Sequence, residues 1–88
     1  MSSHKRKDVA RRIARIHGHV HGIMEMIDGG RSYLEIVQQI SAVKAALDSA
    51  IQVIVEDLME DCIERGGKKD VEMNRSLVEI KEVVNRLT

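Results

Sequence analysis

The chain of 88 residues suffices for one domain with a core small for its surface, and its single cysteine, Cys62, excludes a disulfide scaffold. Hydrophobic residues make up 43% of it but aromatic ones only 1%, the lone Tyr33, and proline is absent; a core of Ile, Val, Leu, Met and Ala suits long helices better than a β-sandwich. The net charge is zero, yet residues 1–16 carry six bases (Lys5, Arg6, Lys7, Arg11, Arg12, Arg15) against Asp8, about +5, whereas residues 33–64 carry seven acids against Lys44, about −6. Such asymmetry points to a polyanion partner approached from one side. No apolar run reaches the roughly 18 residues of a membrane span and the first residues lack a signal-peptide stretch, so a cytoplasmic protein without a membrane partner is expected.

In chain order, residues 1–6 read as a mobile arm at the head of a single domain, 1–88, and the first helix as about 5–28. Val9, Ile13, Ile16, Val20, Ile23 and Ile27 recur at steps of 4, 3, 4, 3 and 4, a heptad stripe. Arg11, Arg12 and Arg15 group on the face away from that stripe, with Ala10, Ala14, His17, His21 and Met24 flanking its other side. Gly29-Gly30 stop the helix. Ser32-Tyr33-Leu34-Glu35 has the form of a capping box and opens a second helix, about 33–65, with no breaker before Gly66-Gly67. At about 1.5 Å per residue that helix is roughly 50 Å long, against about 30 Å for the width of an 88-residue globule. Its apolar residues cover more than one stripe, so more neighbours are needed than one hairpin supplies, and a homo-oligomer is expected. A turn over residues 66–70 leads into a third helix, about 71–87, with Leu77, Ile80, Val84 and Leu87 on one side.

The string Val9-Ala10-Arg11-Arg12-Ile13-Ala14-Arg15-Ile16-His17-Gly18-His19-Val20, followed by Gln38-Gln39-Ile40-Ser41-Ala42-Val43-Lys44-Ala45-Ala46-Leu47, resembles the CsoR/RcnR/FrmR family. Those bacterial repressors, sensitive to metals or to formaldehyde or persulfides, look like R-R-I-x-R-I-x-G-Q-V near the start and Q-Q-I-x-A-V-x-A-A-L at mid-chain. The resemblance covers nearly the whole chain. It implies an all-α, three-helix protomer, an antiparallel four-helix bundle formed by two chains, a dimer of dimers, and an operator-bound repressor released by an inducer. It also implies a sensing site that is here largely vacated. Copper(I)-binding members place a Cys just after the first turn, and a His and a Cys four residues apart on the long helix of the other chain. Those positions are Tyr33, Leu58 and Cys62, of which only Cys62 is a soft donor. The persulfide branch needs a pair of thiols, and the formaldehyde branch uses the cysteine that Tyr33 replaces. His19 stands where the family carries glutamine.

On this resemblance Arg11, Arg12 and Arg15 are DNA contacts rather than a merely solvated face. Lys5, Lys7, Lys44 and His19 join them. His17 and His21 are four residues apart, a spacing able to chelate Zn, Ni, Co or Cu(II); the plainer reading is two partly exposed interface histidines. His4 lies near the segment that supplies a nitrogen ligand in the nickel- and cobalt-sensing branch. Cys62 reads either as a small buried apolar residue or as a redox or metal ligand. Tyr33 and Leu58 read as a phenol and an alkyl group packed together where a metal would otherwise enter. No cofactor is required; a transition metal (Cu, Ni, Co or Zn) is a candidate inducer. The expected function is a DNA-binding transcriptional repressor, the alternative a helical oligomerisation or scaffold protein that has lost inducer sensing. An enzyme is not expected, because no nucleophile and base sit at an interpretable spacing and no glycine loop would cradle a phosphate.

Overall fold

A computed structural model describes residues 3–65 and 70–87 of the protein; of the turn expected over residues 66–70, residues 66–69 lie outside the described residues and Asp70 opens the third helix. Three helices follow one another, α1 (Ser3–Asp28), α2 (Tyr33–Arg65) and α3 (Asp70–Leu87), with no strand among the described residues. α2 packs against both α1 and α3. Its 33 residues set the shape, since the molecule extends over 57 × 26 × 12 Å. The radius of gyration of 17.4 Å exceeds the roughly 12 Å of a globule of this length.

The turn between α1 and α2 is built from named hydrogen bonds. Gly30 N–H donates to the Ile27 carbonyl at 3.1 Å and Arg31 N–H to that of Met26 at 3.0 Å. This is a Schellman closure, and it requires the left-handed backbone that Gly30 supplies with φ of 72°. Ser32 Oγ then caps α2 by accepting from Glu35 N–H at 3.2 Å. The reciprocal half of the expected capping box does not form. Glu35 instead accepts from Arg31 Nε at 2.7 Å, the guanidinium offering a stronger charge-assisted partner than a backbone amide.

The core is narrow. Ile16 and Ile23 of α1 meet Ile36 and Val43 of α2, with Met26 and Ala46 packed around them. Ala50, Asp57 and Leu58 continue the buried line of α2. This arrangement splits the apolar stripe read from the sequence. Ile16 and Ile23 are buried against the chain's own α2 and Val9 is half-buried, whereas Ile13, Val20, Met24 and Ile27 stay 40–58% exposed. The same holds on α2, where Val37, Ile40 and Leu47 stay 42–56% exposed.

α1 also begins earlier than expected. The arm assigned to residues 1–6 is helical from Ser3 onward, and Lys5 in its first turn is tied to Glu60 of α2 across the hairpin at 2.8 Å.

Candidate nucleic-acid interface

One flank of the α1–α2 hairpin is polar. Lys5, Asp8, Arg12 and His19 are half-buried and follow one another at steps of 3, 4 and 7 residues, which keeps them about 20–80° to one side of Ile16. Arg15 lies slightly further round and is exposed. Between the helices opens a groove of about 300 Å³, lined by Arg12, Arg15, Ile16, His19, Ala46 and Ser49. Arg12 is therefore not opposite the packing stripe, as expected from the sequence, but beside it. At about 100° per residue Arg12 falls only some 40° from Ile16 and about 60° from the centre of the stripe, so it borders the edge on which α2 docks.

Three polar contacts hold this flank. Arg12 Nε donates to Asp8 Oδ1 one turn back at 3.2 Å, which orients the guanidinium and uses one of its five N–H donors. The imidazole of His19 donates from Nε2 to Gln39 Oε1 of α2 at 2.7 Å. Lys5 Nζ donates to Glu60 Oε1 at 2.8 Å. That bond raises the Lys5 pKa above its ordinary 10.5; desolvation opposes the rise, while the charges of Glu60, Glu56 and Asp57 add to it. Because the folded-state value is raised, the pairing contributes stability throughout the neutral range and loses it only as the pH climbs past that raised pKa.

The groove thus gathers two guanidinium groups, an oriented imidazole and the Ser49 hydroxyl around a floor of Ile16 and Ala46. Arginine presents N–H donors in a fork that matches phosphate oxygens, and the hydroxyl adds a donor from the other helix. Sequence reasoning named Arg12, Arg15 and His19 but missed Ser49 and Gln39. Their signal was present but faint: Gln39 and Ala46 stand seven residues apart on one face of α2, with Ser49 three further on.

The remaining candidates are not brought to this groove. Arg11 and Lys7 are exposed, about 100° and 140° round α1 from Arg12. Lys5 shares the groove's face but is bonded to Glu60. Lys44 is exposed about 140–200° round α2 from Ala46 and Ser49, among Val37, Ile40 and Leu47 of the outward apolar face.

The possible metal ligands are dispersed. His17 and His21 are exposed on the edge of α1 about 140–180° from Arg12 and His19, and His21 Nε2 lies 3.1 Å from Glu25 Oε1. His4 is exposed in the first turn of α1. Tyr33 opens α2 and is 86% exposed, whereas Leu58 is only 4% exposed and Cys62 is half-buried. Positions 33 and 58 are about 37 Å apart along α2, so only a second chain could join them. Leu58 is moreover covered by its own protomer rather than awaiting Tyr33. Among the described residues no three His, Cys, Asp or Glu side chains gather as a metal-binding set, and no helix is long and apolar enough to cross a membrane.

Comparison with known proteins places this geometry in context. Residues 5–87 match the model of a family described as metal-sensitive transcriptional repressor. The chain is 30% identical over 87 residues to the copper-sensing transcriptional repressor CsoR of Bacillus subtilis, covering 99% of this chain and 85% of that one. It is 31% identical over 61 residues to the copper-sensing transcriptional repressor RicR of Mycobacterium tuberculosis, covering 69% of this chain and 64% of the relative. Among solved structures it is similar to the nickel-responsive transcriptional regulator InrS, with a TM-score of 0.80 and 32% identity over 93% of this chain and 91% of the other.

Proposed function

Because the chain belongs to the family of metal-sensitive transcriptional repressors, we propose that it binds operator DNA as a homo-oligomer, seats backbone phosphates in the groove lined by Arg12, Arg15, His19 and Ser49, and is released by an inducer. The observation that carries this reading is the groove itself, which concentrates cationic donors in a chain of zero net charge. Phosphate contacts of this kind supply affinity and register on the duplex.

Oligomerisation rests on the outward apolar faces. Ile13, Val20, Met24 and Ile27 of α1 and Val37, Ile40 and Leu47 of α2 form one exposed side of the hairpin, 40–58% accessible at each residue. A second hairpin laid antiparallel against that side covers them and completes a four-helix bundle. Two such dimers make the proposed tetramer. The arginine groove lies on the flank of the hairpin that this packing leaves open.

The inducer is not copper(I) held by a trigonal thiolate–imidazole set. Of the three positions concerned, Tyr33 and Leu58 carry no soft donor, and Cys62 alone cannot supply the missing ligands. The CsoR and RicR relatives are copper-sensing; that this chain lacks the copper donors rests on the residues at positions 33 and 58.

Light scattering at micromolar concentration, without and with a DNA duplex selected by the protein from a random-sequence pool, tests the proposal. More than one chain per particle is expected, and a DNA complex whose affinity falls steeply with salt, with a log–log slope of about −0.9 per phosphate contacted. A folded monomer contradicts the assembly, and DNA binding indifferent to salt contradicts the groove.

A further inference from the structure

The antiparallel hairpin lays the first turn of α1 beside the acidic end of α2. Lys5 lies two helical turns, about 10 Å, before Arg12 on the same face of α1. By position it extends the cationic line of the groove. By contact it does not, because its ammonium donates to Glu60 at 2.8 Å, with the carboxylates of Glu56 and Asp57 acting on it as well. The Lys5 side chain is 22% exposed and that of Glu60 59% exposed. A surface pair of this kind adds little stability. Its larger consequence is electrostatic: a carboxylate occupies the ammonium that a DNA phosphate at this end of the groove would seek, and presents like charge to that phosphate.

We propose that Glu60, at the acidic end of α2, is an intramolecular competitor of the DNA backbone, holding Lys5 and thereby lowering the affinity of the repressor for DNA. The competition explains why an overall neutral chain keeps its basic and acidic segments in register across the hairpin. DNA that displaces Glu60 gains one more phosphate contact per engaged protomer. The same exchange makes the N-terminal turn of α1 sensitive to whatever alters the acidic end of α2. This inference rests on the groove being the DNA interface.

The test compares wild type, Glu60→Gln, Lys5→Ala and the double variant, by fluorescence anisotropy on the duplex selected from a random pool across a salt series. Circular dichroism and light scattering confirm fold and assembly, and Glu60→Ala serves as a second variant should the glutamine retain a hydrogen bond to Lys5. Glu60→Gln or Glu60→Ala is expected to tighten binding roughly threefold or more at low salt and to steepen the log–log slope by about 0.9 per engaged protomer. In the Lys5→Ala background the same substitution is expected to give no gain. Unchanged or weakened binding in both Glu60 variants overturns the proposal. So does an equal gain with and without Lys5, which means general repulsion rather than competition for that ammonium. If wild type and variants all bind without salt dependence, the groove reading itself fails, and the inference with it.

Discussion

Replacing Arg12 and Arg15 together by alanine is expected to weaken DNA binding by roughly tenfold or more, about 1.4 kcal/mol at least, while helicity and assembly persist. Both guanidinium groups line the groove, and the variant removes two phosphate contacts per engaged protomer, so the log–log salt slope should flatten by about 1.8 for each. The fold survives because, among the described residues, the ion pair lost from this flank is Arg12 with Asp8, whose side chains are 35% and 39% exposed. Exposed pairs one helical turn apart contribute only about 0.3–0.5 kcal/mol. Gel shift or anisotropy on the selected duplex measures the change. Unaltered affinity at low salt means that the cationic flank is solvated surface and nothing more.

The second large effect concerns copper. Competition against a copper(I) chelator is expected to give no tight site at one equivalent per chain, because only Cys62 among the three sensing positions is a soft donor. Tight binding abolished by Cys62→Ala contradicts this. The converse substitution, Tyr33→Cys with Leu58→His, is expected to create affinity that competes with the chelator, because positions 58 and 62 share a helix face and a second chain brings position 33. Its cost falls on stability: Leu58 is 4% exposed, so an imidazole there replaces buried apolar contacts, a loss of about 1–3 kcal/mol. If the double variant folds, assembles and still fails to compete, the three positions do not surround one pocket.

Both predictions draw on residues that were unequally legible in the sequence. The 4-3-4-3 spacing and the glycine pair mark the length of α1 and its end, and the uninterrupted run after Ser32 marks α2. Periodicity does not say which neighbour a stripe faces. On α1, Ile16 and Ile23 turn toward the chain's own α2, while Ile13, Val20 and Ile27 turn outward only about 20–80° away. Read as one stripe, these merge, and Arg12, only about 60° from its centre, is grouped with Arg11 and Arg15 although it borders the packed edge. Ser49, Gln39 and Glu60 escaped notice for a related reason. Their roles depend on which residue of α1 each meets, and the register between two helices is settled by side-chain packing along the whole contact rather than by local spacing. His19 was legible because it interrupts a motif, but its orienting partner was not. The departures at Tyr33 and Leu58 are visible only against the family pattern, since neither residue is unusual on a helix.

On the proposed function, DNA meets the hairpin on the Arg12–Ser49 flank. Photo-cross-linking decides this, with p-benzoylphenylalanine placed either at position 49, in the groove, or at position 17, on the opposite edge of α1. Irradiation of each variant bound to the selected duplex is expected to join DNA to the chain from position 49 and not from position 17. Cross-links from position 17 alone, with none from position 49, contradict the account.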